Sequence, residues 1–381
     1  ITAAGYTNSL FGGNAASLTT TLYAIDSSTN VLALIGANPG NSTAGDAGNP
    51  NSGVVTDVGA LGVDVSDANA FDIVAGNGTA LLAATVGANT TLYTVNLATG
   101  AATAAGNFPA STGSIVAMGS NGSQTATVFG VTPTNKLVSF LPSTPGTVTA
   151  VGTISVPAGE TVQGIDFRPS IGPKNGTLVA LTTAAGGAAK LYTVDPATGT
   201  ATALSSLAAN PADTTAAFTT TTGANFGIDF NPVPDALRTV SNVQENLRTV
   251  PDSGLTFTDG NLSVAGVYGA GYTNSFTTTA TTQLFYLRDV AGGNTELYGT
   301  TAPNDGTLTL VGTNLGTDFS AVGDFDIAGG QNGFSLAALQ PQAGGVSGLF
   351  RINTATGVAT SVGNVVTADS EPLVGIAIQV K

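Results

Sequence analysis

The sequence predicts an all-β protein: a β-propeller of four-stranded blades, with seven blades in one closed ring and a five-blade ring plus an N-terminal β extension as the alternative. Three observations carry the prediction. A hairpin phrase recurs along the chain, an apolar strand with an embedded aspartate precedes it, and four short strands repeat at roughly 45 residues, the signature of propeller blades. Segments of helical period and useful length are missing.

The hairpin phrase is clearest at Leu191–Asp195, where large and polar residues alternate before Pro196–Gly199 turns the chain and Thr200–Leu204 returns. It recurs as LYTVNLATGAATAAG from Leu92, LFRINTATGVATSVG from Leu349 and, degenerately, LYAIDSSTNVLALIG from Leu22. Asp or Asn ends the first strand, where its side chain can hydrogen-bond the turn backbone. Gly, or Asn30 in the degenerate copy, supplies the left-handed position that a short loop with a bulge needs.

The aspartate-bearing phrase reads AFDIVAG at Ala70, GIDFRP at Gly164, GIDFNP at Gly227 and DFDIAGG at Asp324. Rich in Ile and Phe with few polar residues, such strands are expected to be buried on both faces. A further short strand, such as Leu178–Leu181 or Leu336–Leu339, lies between phrase and hairpin. Pro234 to Arg248 could be misread as a helix, but its repeated Arg-Thr-Val (Arg238, Arg248) and the turn at Pro251 argue for a hairpin.

Seven modules result, at about 1–37, 60–106, 112–152, 160–206, 222–262, 265–313 and 318–364. AGYTNS at Ala4 returns at Ala270, and the segment from Leu61 matches that from Leu315 in eight of sixteen positions. Ser114–Gly119 falls where Leu373–Ile378 lies in the later copy. Residues 1–120 thus read as duplicated blades, a repeat of 267–380, followed by a propeller region at 121–381.

From Val128 to Val380 the phrases NKLVSFLPSTPGTVTAVG, AGETVQGIDFRP, LYTVDPATGTATAL, FGIDFNPVPDALRTVSNVQENLR, PDSG, GAGYTNSF, NDGTLTLVG, FDIAGG and EPLVGIAI follow in order. This resembles the bacterial family called domain of unknown function 4394, secreted or surface proteins expected to be β-propellers. The resemblance implies five blades for the family region and seven for the ring here, and brings no enzymatic activity. The two-blade N-terminal duplication departs from the family pattern.

In a seven-blade ring one first strand is surplus. ITAAGYTNS and SIVAMG already open their modules, yet EPLVGIAIQV from Glu371 is another first strand with no blade after it. Val374, Ile376, Ile378 and Val380 would line one apolar face. Left free, such a strand exposes an unpaired edge. It could double up in its own ring or complete a neighbouring molecule's blade, and head-to-tail donation builds a filament. Ile1, Ala3 and Gly5 at the other end are the remaining candidates for the assembly strand.

Composition excludes more than it assigns. The 381 residues hold 9 Lys+Arg against 23 Asp+Glu, a formal charge of −14, with no His, Cys or Trp. Charged residues are 8% of the chain, against roughly 25% in ordinary domains. Nucleophile systems built on His or Cys are therefore excluded, as are the usual zinc, haem and iron–sulfur ligand sets. Nucleic-acid partners are not expected, for no two basic residues adjoin, and no apolar run is long enough for a membrane span. The start at Ile1 is expected of a mature product whose export signal has been removed, or of a chain begun there by design. The Thr/Ser/Asn/Gly surface points to a secreted or cell-surface protein.

Candidate sites each carry a plainer reading. Asp72, Asp166, Asp229 and Asp326 recur at matching places and could ring a channel and hold Ca²⁺; the favoured reading is that they accept hydrogen bonds from turn backbone or from Arg168 and Arg238. Asp57, Asp64 and Asp67 have loop-like calcium spacing but lack the Gly and terminal Glu of an EF-hand, so Asp64, Asp67 and Asp72 are weak metal candidates. Glu160 and Glu371 are the carboxylates to consider for glycoside hydrolysis, with solvated surface groups favoured. Tyr6, Tyr23, Tyr93, Tyr192, Tyr272 and Phe350 could stack on sugars, although three of them share a hairpin position that suggests core filling. Six Asn-x-Ser/Thr sequons begin at Asn41, Asn77, Asn89, Asn121, Asn175 and Asn261, and matter only in a host that glycosylates asparagine.

The expected function is that of a non-enzymatic extracellular structural protein that self-assembles by donating a terminal strand. Its partner would be itself, head to tail, and no cofactor is required beyond a possible Ca²⁺. The alternative is a monomeric secreted binding module, a lectin or calcium-dependent adhesin, with glycans as possible ligands. Carboxylate-based glycosidase chemistry is the third reading.

Overall fold

The computed structural model describes residues 1–7, 20–36, 50–66, 69–74, 78–86, 89–109, 112–120, 125–170, 172–276, 279–328 and 333–380. Asp67 and the sequons at Asn41, Asn77 and Asn121 lie outside them. The chain forms two compact units, divided between Thr125 and Ala126. No helix among the described residues is long and apolar enough to cross a membrane.

The first unit holds two antiparallel sheets. One is β1 (Ala3–Tyr6), β2 (Leu22–Asp26), β3 (Val31–Ile35) and β4 (Val55–Ala60), in that order. The other is β5 (Asn69–Ile73), β6 (Ala80–Val86), β7 (Asn89–Val95) and β8 (Ala102–Asn107). Ile25, Leu32, Phe71, Ile73, Leu82 and Tyr93 share the core between them.

The second unit holds five sheets. The first contains β9 (Ala126–Val131), β10 (Lys136–Phe140) and β11 (Thr149–Thr153). The next is β12 (Glu160–Arg168), β13 (Thr177–Ala184), β14 (Ala189–Val194) and β15 (Ala201–Ser206). The third joins the short β16 (Ala208–Ala209) to β17 (Phe226–Asn231), β18 (Ala236–Ser241), β19 (Asn246–Thr249) and β20 (Leu255–Thr258). The fourth is β21 (Val267–Tyr272), β22 (Leu284–Arg288), β23 (Glu296–Thr300) and β24 (Thr309–Val311). The fifth is β25 (Phe319–Ala328), β26 (Phe334–Pro341), β27 (Gly348–Ile352) and β28 (Ala359–Asn364). Finally β29 (Gly375–Val380) returns to pair with β9, from Gly375 opposite Val131 to Val380 opposite Ala126.

Apolar clusters tie each of these five sheets to the next. Val131 and Leu137 pack with Ile165 and Leu178, Leu181 and Leu191 with Phe230 and Leu237. Val240 packs with Tyr272 and Tyr286, and Leu287 with Phe325 and Leu339. Leu336 and Leu349 then pack with Val128, Ile376 and Ile378 of the first sheet. The five sheets thus follow one another in a circle, and the aspartate-bearing β12, β17 and β25 are buried along most of their length, as the apolar strand phrases demand.

The hairpin phrase folds as its residues dictate. Asn96, Asp195 and Asn353 each turn Oδ1 to accept the backbone N–H two residues on, at 2.8–2.9 Å. Asp26 does the same for Ser28. Asn30, Gly100, Gly199 and Gly357 take the left-handed backbone, and the ladder shifts at Leu92/Tyr93, Leu191/Tyr192 and Leu349/Phe350. Ala236–Ser241 and Asn246–Thr249 form the expected hairpin, with Arg238 opposite Arg248.

The terminal strand requires a correction. In a seven-blade ring Ser114–Gly119 would open the third module; here β29 fills that place, and Ser114–Gly119 forms no strand. Ile376 and Ile378 are buried, and Val374 and Val380 pack against the core on either side. Burying each Ile is worth about 1.5–3 kcal/mol. On one side β29 pairs with β9, and on the other its Ile376 and Ile378 N–H groups donate to Asp324 and Asp326, so the strand remains with its own sheet. At the other end Ala3 pairs with Ile25 and Gly5 with Tyr23, leaving Ile1 exposed. Neither terminal strand is free.

Candidate metal centre

The phrases GIDF, GIDF and DFDI place their aspartates on β12, β17 and β25, three of the five strands whose clusters adjoin around the circle. Glycines let these strands come close. A Cβ on Gly227 would lie 2.6 Å from the Gly269 carbonyl carbon, and one on Gly375 would lie 2.9 Å from the Gly164 Cα. Only a residue without a side chain allows that backbone approach. At the positions matching the aspartates, β21 has Gly271 and β29 has Ala377, so three carboxylates occupy one layer.

One carboxylate oxygen from each of Asp166, Asp229 and Asp326 lies within 4.8 Å of the other two. All three residues are buried. Each also ties its strand to a neighbour through strand backbone N–H groups, where the sequence points to turn backbone or to Arg168 and Arg238. Asp166 accepts N–H bonds from Phe167 at 2.6 Å and from Phe230 of β17 at 2.7 Å. Asp326 accepts from Ile378 of β29 at 2.6 Å. The arginines are not partners. Arg168 binds Asp235 and Asp252, and Arg238 binds Asp259, Asn246, Asn304 and Tyr272.

Asp324 is the residue that sequence reasoning missed. Two positions before Asp326 on one strand, it faces the same side, a signal the period of two contained. It is 1% exposed; its Oδ2 accepts the Ile376 N–H at 3.3 Å, and its Oδ1 has no hydrogen-bond partner. Asp229 Oδ1 likewise has none, with the residue 1% exposed.

Burial pushes all four carboxyls up, and neighbouring carboxylates push Asp229, Asp166 and Asp324 further. Asp326 is raised to about 7, chiefly by burial. At an effective dielectric near 20, two full charges 4.8 Å apart repel by about 3.5 kcal/mol. The layer therefore holds protons or a cation. Its donors are all oxygen, a set that suits hard cations. A pocket of about 50 Å³ opens beside it, lined by Gln163, Asn225, Phe226, Val322, Gly323 and Val374; Gly323 adjoins Asp324 in the chain.

The other candidates stand apart. Asp72 accepts from the N–H and Oγ of Ser120, both at 2.5 Å. Asp64 accepts from Asn30 on an exposed loop, and Asp57 sits on β4 opposite Ala33. Glu160 is held by Lys190, Tyr192 and Thr182, which keep its carboxyl below the usual range against burial; Glu371 accepts from Thr134. Tyr93, Tyr192 and Tyr272 are buried, and Phe350 packs edge-on to Phe319 with centroids 4.8 Å apart. Tyr23 packs against the core, and Tyr6 is exposed. Core filling accounts for the shared hairpin position.

The chain matches no curated protein. Among solved structures it overlaps the Aleuria aurantia fucose-specific lectin at 12% identity and TM-score 0.31, over 95% of this chain and 94% of the lectin. It overlaps the Penicillium chrysogenum α-L-arabinanase at 12% identity and TM-score 0.32, over 82% and 92%. A Bacteroides fragilis protein described as a candidate 6-phosphogluconolactonase gives 12% and 0.35, over 98% and 97%. These overlaps are too low to bear on function, and the sheet topology carries the fold. The family model of the domain of unknown function DUF4394 matches residues 1–118 and 124–377, a break that falls beside the division between the two units. The chain belongs to the DUF4394 family.

Proposed function

We propose that this protein is a non-enzymatic extracellular scaffold, a five-bladed propeller with a two-sheet N-terminal unit, that self-associates through that unit. One observation carries the reading: the Ser120 N–H donates to Asp72 as the Ile378 N–H of β29 donates to Asp326, yet among the described residues no strand pairs with Ser114–Ser120. β29 has β9 there. Val116 is left 72% exposed. The segment's later counterpart finds its complement in this same sequence, which argues for a second copy as the occupant. The same segment of a second copy laid beside it as a strand would be β-augmentation.

The test is negative-stain microscopy and light scattering over a dilution series, with wild type beside Val116→Asp. Oligomers or filaments in wild type that are lost in the variant support the reading. Monomers at every concentration overturn it. The monomeric binding module then leads, with the pocket between Gln163, Asn225 and Val374 as its surface and a glycan array as its assay.

A further inference from the structure

The acidic layer inside the five-sheet unit plays no part in that self-association. We propose that Asp166, Asp229 and Asp326, with Asp324 beside them, bind one divalent cation of the Ca²⁺ class. Oxygens bound to a single Ca²⁺ at 2.3–2.6 Å lie no more than about 4.6–5.2 Å apart, and one oxygen from each of the three carboxylates lies within 4.8 Å of the others. Mg²⁺ dehydrates reluctantly and keeps several waters, so a buried layer of protein carboxylates suits it less.

The unsatisfied atoms are the independent sign of a ligand. Asp229 Oδ1 and Asp324 Oδ1 are buried acceptors with no donor, in a protein interior where such groups are ordinarily paired. Asp324 Oδ1 lies on the Gly269 side of the layer, 3.5 Å from where a Cβ there would sit. The positive charge that would otherwise answer the layer is committed elsewhere: Arg168 to Asp235 and Asp252, and Arg238 to Asp259. The hydrogen bonds from Phe230 and Ile378 hold the carboxylates in place, and a carboxylate has lone pairs left to bind a metal. The repeated aspartate thus has two tasks, latching adjacent strands and facing a common ion.

The full chain, stripped with EDTA, is titrated with CaCl₂ or MgCl₂ and followed by thermal melting, with bound metal measured after desalting. Wild type retains one Ca²⁺ per chain, and its melting temperature rises by about 5–10 °C at a hundredfold excess over Kd, with a smaller rise in Mg²⁺. Asp229→Asn and Asp324→Asn abolish or sharply reduce the response, while Asp64→Asn on the exposed loop leaves it intact. Should one variant fail to fold, the other gives the same reading. A wild-type shift below 1 °C with no retained metal overturns the proposal. So does an equal shift in all three variants, which would assign the effect to the acidic surface.

Discussion

Substituting Gly227 by Ala tests whether close strand approach builds the centre of the five-sheet unit. The backbone at Gly227 is not left-handed, so alanine brings no dihedral strain, and on its own account it would stabilise by about 0.4–1 kcal/mol through the unfolded chain. Its Cβ, however, would lie 2.6 Å from the carbonyl carbon and 2.7 Å from the Cα of Gly269. Main-chain atoms cannot rotate away as a side-chain tip can. Relief requires β17 and β21 to part by about 1 Å, a change of the overpacking kind that costs about 1–3 kcal/mol. Net destabilisation of about 1–2 kcal/mol is expected in urea unfolding. Gly146→Ala is the control: its Cβ would meet only the Asn364 carbonyl oxygen at 3.6 Å, an ordinary contact, so stability holds or rises slightly. Gly227→Ala within 0.5 kcal/mol of wild type would refute the reasoning.

Two further predictions concern buried charge. Arg238→Ala leaves Asp259, with 8% of its side chain exposed, to Arg248 alone and removes donors from Asn246 and Asn304; a loss of about 3–5 kcal/mol is expected. Replacing both Arg238 and Asp259 by Met and Leu should cost less than Arg238→Ala, and a double-mutant cycle in urea measures the difference. In EDTA, stability should fall as pH rises from about 4 to 7. The unfolded Asp326 ionises near 4 while the folded group holds its proton to about 7, an effect of up to about 4 kcal/mol at 1.36 kcal/mol per unit. Above pH 7 the loss continues through Asp166, Asp229 and Asp324, whose carboxyls burial also holds up. Asp252, held low by Arg168 and Lys174, loses its contribution only below that window. Urea midpoints that rise between pH 4 and 7 would contradict the assignment.

The amino-acid sequence by itself determined the strands, the turns and the repeat. Those features are local: Asp195 caps its own turn two residues away, and Gly199 supplies a left-handed backbone at its own position. Sequence also marked Asp166, Asp229 and Asp326 as equivalent, because they occupy one place in a repeated phrase. The tertiary structure decided which strand closes which sheet. Ser114–Gly119 and Leu373–Ile378 hold corresponding places in the two copies, and local preference cannot rank them for the edge of β9. The winner is set by packing, since Ile376 and Ile378 fill a core with Leu336 and Leu349 from the fifth sheet. The same closure brings three aspartates, separated by as many as 160 positions in the chain, within 4.8 Å. A distance of that kind belongs to the ring, because Gly227 and Gly375 shape the site only where another strand's backbone lies against them.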